Sequence, residues 1–292
     1  MTGEPRFLPG ARLWTPWRMA YVGGGEREPG CVFCNALAGE DDATSLIVHR
    51  GEHSFAIMNL FPYNTGHLMI VPYSHTHQLM DLSQDARAEM TELTATFCDI
   101  LQLAMNCDGF NTGMNLGSAA GAGIADHLHH HIVPRWTGDA NFMPIIGGTK
   151  VLPELVAATY AKVRAEVARR KSGAGTIDVV MFAPDQPGLY VAGDDLPAIS
   201  LTDDMPAWKS AVTAFSAEAS VCGVLGWAGR ASTVADETKW PALALSCSPR
   251  AGNGSSPYRW ISFEQASALL TDSRYGQVRE AANRLGMDTS EP

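Results

Sequence analysis

Asp126-His127-Leu128-His129-His130-His131-Ile132-Val133-Pro134-Arg135-Trp136 is the stretch that decides how this chain folds. Side chains alternate between faces along a strand, so His127, His129 and His131 fall on one side while Leu128, His130 and Ile132 fall on the other. The spacing predicts a strand over 127–133, closed by Pro134, which lacks the donor a ladder needs. Three imidazoles on one surface can bind a metal, attack an electrophile or shuttle a proton. All nine histidines (His49, His53, His67, His75, His77, His127, His129, His130 and His131) precede residue 132, which confines imidazole chemistry to the first half.

Outward from this stretch, Ser45 to Arg50, Ser54 to Asn59 and His67 to Pro72 are short, β-prone and separated by turn residues, as antiparallel strands are. Met90, Leu93, Phe97, Leu101 and Met105 recur at helical spacing, which predicts a helix from Gln84 to about Asn106 with Ser83 as its N-cap. Phe110 to Leu116 supplies another strand, joined to the histidine strand by the Gly-rich run 117–123. A further helix is expected from Pro153, suited to a first helical position, to Lys171, where Arg169, Arg170 and Lys171 complement the negative end of the dipole. This order specifies an α+β domain with an antiparallel sheet and its helices on one face. Residues 1–30, rich in Gly, Pro and Arg, read as an irregular arm whose Trp14, Trp17 and Tyr21 need a surface to pack on.

The chain has 292 residues, enough for two domains with separate cores. The expected division is an arm over 1–30, a catalytic domain over 31–171, a linker over 172–176 and a second domain over 177–292. No apolar run approaches the roughly 20 residues of a membrane helix, and the N-terminus lacks a signal-peptide core, so a cytoplasmic protein is expected. Thirteen basic and 17 acidic residues up to Lys171, then 8 and 14 beyond it, give −4 and −6. Such an acidic balance disfavours nucleic acid, whose backbone is bound by basic residues; a phosphate ligand must meet a local pocket.

His127-Leu128-His129-His130-His131-Ile132-Val133 resembles the motif His-φ-His-φ-His-φ-φ, with φ apolar, of the histidine triad (HIT) family. The flanks Leu13-Trp14-Thr15-Pro16-Trp17-Arg18, Asn59 to His67 and Pro134 to Phe142 are similar to the actinobacterial branch that includes diadenosine tetraphosphate phosphorylases. The resemblance covers about residues 10 to 170. It implies adenine nucleotide substrates, a homodimer, and a middle histidine, here His129, that takes up a nucleoside monophosphate as a covalent phosphohistidine. Chemistry agrees on the need: an imidazole attacks phosphorus only with one nitrogen free and the other held as a donor. His131 would then donate to a phosphoryl oxygen or leaving group, with His127 completing the triad.

The Gly-rich run, including Gly121 and Gly123, can aim backbone N–H groups at phosphate oxygens. Many relatives carry Ser or Gln where this chain has Gly123, and His130 stands at a nominally apolar position, so it should face away from the site. Asn59 matches the family position near the nucleoside ribose, and Asn115 is a candidate phosphate ligand; either could equally stabilise a turn. Water as second acceptor makes a hydrolase, phosphate a phosphorylase. A purine nucleoside phosphoramidate hydrolase, or a nucleotide-binding module without turnover, is the alternative.

Cys31-Val32-Phe33-Cys34 is half of a tetrahedral zinc site. The resemblance implies His75 as third ligand and His127 as fourth, a closed structural centre rather than a zinc hydrolase site. The other four cysteines read as small buried hydrophobes.

Beyond Gly175 the pattern restarts, with strands at Thr176 to Phe182, Gly188 to Ala192 and Ala242 to Ser246, and helices at Trp208 to Cys222, Phe263 to Leu270 and about Gly276 to Leu285. This order resembles a second, α/β Nudix-like domain. Counting back from Gly223, the magnesium-binding glutamates would fall on Ala217, Ser220 and Val221, with only Glu218 nearby, so a degenerate domain without a metal is expected.

Overall fold

The computed structural model describes residues 29–120, 123–139, 154–172, 175–182, 187–201, 204–215, 219–228, 242–249, 258–284 and 287. The arm up to residue 28, Gly121 and Pro153 lie outside them. In chain order the first half runs α1 (Val32–Ala38), β1 (Ile47–Arg50), β2 (Ser54–Met58), β3 (Leu68–Pro72), α2 (Gln84–Met105), β4 (Gly109–Met114), β5 (His130–Arg135) and α3 (Val156–Ser172). The five strands form one antiparallel sheet in the order β1-β2-β3-β5-β4.

Alternation sorts this sheet's side chains. Val48, Ala56, Met58, Leu68, Ile70 and Ile132 face the core shared with α2 and α3. Ile47, Phe55, Ile57, Met69 and Val71 face the other way and pack with Phe33 of α1. Helices therefore lie on both faces, not one: α1, too short to read from periodicity, covers the second face. Helix α2 buries Met90, Leu93, Phe97, Ile100 and Leu101 along one stripe. Ser83 caps it by accepting from Ala86 N, and Asn106 ends it in the left-handed region. Ser83→Ala should lower stability by about 1 kcal/mol, read as a shifted urea midpoint with an unchanged slope.

The histidine stretch departs from the expected strand at both ends. Leu128 N–H donates to Thr76 O (2.7 Å), in the loop after β3, so His127 to His129 lead in and regular pairing starts at His130. At the other end the strand continues through Pro134 to Arg135. Pairing with β3 stops at Ile132, so Pro134 sits where only β4 is a neighbour and a missing donor is tolerated.

The second half runs β6 (Thr176–Phe182), β7 (Leu189–Ala192), β8 (Ala198–Ser200), α4 (Ala207–Phe215), β9 (Ala219–Trp227), β10 (Ala242–Pro249), β11 (Tyr258–Ile261), α5 (Phe263–Leu269) and α6 (Asp272–Arg284). Its sheet has the order β11-β7-β6-β10-β9, with β8 beside β6, and is mixed because β6 and β10 run parallel. One face packs on α3 and α4, the other on α5 and α6. The helix expected over 208–222 ends at Phe215, and 219–227 forms β9 instead. Val221, Val224 and two glycines disfavour helix, and β10 supplies an antiparallel partner. Ser220 and Val221, where a Nudix helix would carry its glutamates, therefore lie on a strand.

Helix α3 ties the halves together. Tyr160 Oη donates to Ile47 O (2.9 Å) and Arg164 Nη1 to Val48 O (2.7 Å), while Glu166 Oε1 accepts from Ala207 N (2.6 Å) at the start of α4. Trp208 Nε1 donates to Ala104 O (2.8 Å). One apolar cluster runs from Val48 through α3 to Leu245. No helix among the described residues is long and apolar enough to cross a membrane.

Candidate active site and metal centre

Register places the triad. Met69 pairs with His131 and Ile70 with His130, so His131 lies on the α1 face and His130 on the α2 face, as alternation predicts. His127 and His129 are buried beside it. The His129 Nδ1 lies 2.9 Å from the His127 carbonyl, which can only accept, so Nδ1 carries the proton and Nε2 the lone pair. Nε2 has no hydrogen-bond partner among the described residues.

The tautomer of His131 is set by His67, which occupies the strand-start position Gly66-His67 and was given no role from sequence. His67 Nδ1 accepts from Tyr63 N (3.0 Å) and lies 3.3 Å from Asn59 Nδ2. Asn59 Oδ1 in turn accepts from Phe61 N (2.8 Å), which turns its amide group toward His67. His67 therefore donates from Nε2 to His131 Nδ1 (2.9 Å), leaving His131 Nε2 as an N–H donor, buried and without a partner. Asn59 is thus already engaged by the turn and by His67. The usable signal in the sequence was a histidine heading the apolar run Leu68-Met69-Ile70-Val71; the structure buries it completely. Gly66 (φ 78°) completes the turn in which His67 N donates to Asn64 O (3.1 Å), a place that favours glycine.

Burial pushes the His131 imidazole down to about 4, with His129 and His130 adding to it. The ordinary value is 6.5, so above that pH the folded and unfolded chains are both neutral there. As pH falls below 6.5 the unfolded chain binds a proton that the folded one refuses until about 4. Stability is present above that window and lost through it. Burial lowers His130 in the same direction. Denaturant melts at about pH 7 and pH 5 should show a larger loss for the wild type than for His131→Asn; equal losses would clear His131 of the effect.

Asn115 follows Met114, which pairs with His130, so it stands at the ladder's end beside the triad, half-buried. Gly123 is exposed, and a Cβ there would meet nothing within 4 Å.

On the other side of His127, Cys31, Cys34 and His75 converge. The four ligand atoms lie within 4.8 Å of one another. His127 Nε2 donates to Pro72 O (2.9 Å), so Nδ1 offers its lone pair toward Cys31 Sγ at 3.3 Å and Cys34 Sγ at 3.7 Å; His75 Nδ1 is 3.4 Å from Cys34 Sγ. A tetrahedral zinc with bonds of about 2.3 Å to sulfur and 2.0 Å to nitrogen sets a sulfur–nitrogen edge of roughly 3.5 Å, which these separations match. Burial, then the neighbouring Cys31, raises the Cys34 thiol, a state that a bound cation would reverse. The cluster is compatible with zinc.

Fold and site define the class: an α+β domain presenting one deprotonated imidazole nitrogen and one imidazole N–H side by side, the equipment of a nucleophilic transferase or hydrolase. The HIT domain model matches residues 40–138. The AP-4-A phosphorylase of Mycobacterium tuberculosis (strain H37Rv) is 42% identical over 166 residues, 54% of this chain and 85% of that protein. An uncharacterized HIT-like protein of Saccharolobus solfataricus is 30% identical, over 39% of this chain and 79% of its own. Among solved structures, a Zn-bound histidine triad family protein from Mycobacterium smegmatis matches with TM-score 0.41 and 24% identity, over 50% of this chain and 98% of that one. The chain belongs to the HIT family and is a HIT-family enzyme.

Proposed function

We propose that this chain transfers a nucleoside monophosphate from a dinucleoside polyphosphate, diadenosine tetraphosphate foremost, to inorganic phosphate through a nucleotidyl group on His129. The bond from His129 Nδ1 to His127 O (2.9 Å) carries the reading, because it leaves Nε2 as a ready nucleophile. The 42% identity to an AP-4-A phosphorylase supports the substrate. Nε2 bonds to the α-phosphorus as the bond from that phosphorus to its bridging oxygen breaks; ATP departs with the proton of His131 Nε2. Phosphate then attacks the same phosphorus, the N–P bond breaks, ADP leaves, and His131 recovers a proton from the phosphate. Asn115, Gly121 and Gly123 are assigned to the phosphate oxygens, Asn59 to holding His67, and Cys31, Cys34, His75 and His127 to a structural zinc.

The same proposal keeps a homodimer, supported by β4 lying at a sheet edge, and a cytoplasmic site, supported by Cys98 and Cys107, outside the metal-type cluster, being unpaired. It keeps the division into 31–171 and 177–292 joined at 172–176, supported by the change of sheet at Thr176, with one apolar cluster shared across the two rather than a core for each. The second domain takes a recognition or structural role; the one metal-type cluster among the described residues is in the first half.

Purified protein given diadenosine tetraphosphate, with and without phosphate, tests the reading by product chromatography. Phosphate-dependent ADP and ATP are expected. AMP and ATP without phosphate would mean a hydrolase; no product would move the assignment to a phosphoramidate substrate or a binding module.

A further inference from the structure

Cys31 is the N-cap of α1 and Cys34 stands three residues on, with Asn35 N donating to Cys31 O (2.9 Å) to close the first helical turn. Residues three apart in such a turn share a face, their Cα atoms about 5 Å apart, inside the roughly 4.4–6.8 Å span that a disulfide bridges. The two sulfurs already lie within 4.8 Å of each other and of the ring nitrogens of His75 and His127. Neither thiol is shut away: Cys31 and Cys34 are half-buried, and His75 beside them is exposed. Cys107, by contrast, is buried, and Cys98 stands alone on α2.

The same cluster reaches the triad's middle histidine through one residue. His127 faces the cysteines with Nδ1, while its backbone carbonyl accepts the Nδ1 proton of His129. That carbonyl belongs to the lead-in to β5, outside regular pairing, where Leu128 N is tied to Thr76 O. A cation bound by all four side chains would grip both partners of that tie, since His75 precedes Thr76 and His127 precedes Leu128.

We infer that Cys31 and Cys34 form a reversible oxidation site, a dithiol that a hydroperoxide converts to a disulfide, releasing the cation and switching turnover off. The effect on turnover rests on the reading of His129 as nucleophile. One thiolate attacks an oxygen of hydrogen peroxide; the O–O bond breaks, the departing hydroxide takes a proton to become water, and the sulfur becomes a sulfenic acid. The second thiolate attacks that sulfur and expels hydroxide, which takes another proton, so both sulfurs are oxidised and the peroxide is reduced to water. Disulfide sulfurs no longer carry the thiolate charge that a zinc ion needs. The imidazole of His127 is then held by Pro72 O alone, and the carbonyl that fixes the His129 tautomer loses its anchor.

The test treats the zinc-loaded full chain with stoichiometric hydrogen peroxide, following zinc with a chromogenic chelator, free thiols by titration and disulfides by peptide mass mapping. Expected are release of zinc in step with the loss of both thiols, a disulfide between Cys31 and Cys34, and turnover lowered ~tenfold or more. Dithiothreitol with zinc should reverse all three. Cys98→Ser should respond as wild type does. His129→Ala, although inactive, should release zinc and form the disulfide just as readily. Zinc that does not bind, that stays bound through oxidation, or that leaves without the Cys31–Cys34 disulfide would overturn the inference. Oxidised protein turning over within about twofold of the reduced form would overturn it as well. Wild type that never turns over diadenosine tetraphosphate would instead sink the catalytic reading, and the zinc and disulfide readouts would still decide the oxidation site.

Discussion

His129→Ala is expected to abolish turnover of diadenosine tetraphosphate while the chain still folds. The imidazole is 5% exposed and its Nδ1 proton is committed to the His127 carbonyl, so removing it deletes the one lone pair aimed out of the triad. His131 cannot substitute, because its Nδ1 is taken by His67 and its Nε2 carries a proton. Without a covalent route the displacement must occur in one step, and a loss of roughly 10³-fold or more, about 4 kcal/mol in barrier, is expected. The fold should survive, since the change unpairs one carbonyl and empties one ring's volume, a loss of about 2–3 kcal/mol. Single-turnover assays would show the missing burst, and alkaline quenching would show no label on protein. A variant that retains a tenth of wild-type rate would remove His129 from the mechanism.

Stripping zinc is expected to produce the largest loss of stability. Cys31, Cys34, His75 and His127 come from α1, the loop after β3 and the lead-in to β5, so an ion among them ties together three segments distant in sequence. An ion held at about 1,000 times its dissociation constant stabilises by ~4 kcal/mol. In a chain of this size that is worth roughly 10 °C of melting temperature. Elemental analysis should find one zinc per chain, and Cys34→Ser should match the chelated wild type, with Cys98→Ser, outside the cluster, behaving normally. A chelator that leaves the melting temperature where it was would mean that the four side chains are merely neighbours. Tight packing of Phe33 against His127 and His129 makes lost activity on chelation a consequence of the same loosening.

The period-two histidines fixed the α1-facing set and sent His130 to the other face, because strand alternation is a local property of the backbone. Ser83, the α2 stripe, the three leading strands and β6 were equally legible, since caps, periodicity and β-branched runs act over a few residues. The Cys-x-x-Cys pair announced half a metal centre for the same reason. What no local rule contained was which tautomer each imidazole adopts. That was decided by backbone conformation and by groups brought in from elsewhere: the carbonyl of His127, two residues back, for His129; Tyr63 N and Asn59, from the preceding turn, for His67; and the long-range bonds from His127 to Pro72 O and from His67 to His131. The start of β9, residues 219–222, was misread as the end of a helix because its pairing partner, β10, comes from 15 or more residues later, and α1 was missed because its stability comes from the groups it covers. Residue spacing chose the atoms capable of chemistry; the tertiary path of the lead-in to β5, held by Thr76 O, set the short bond from His129 to His127 O that frees the nitrogen proposed to attack, and long-range bonds to Pro72 O and His67 set its two neighbours.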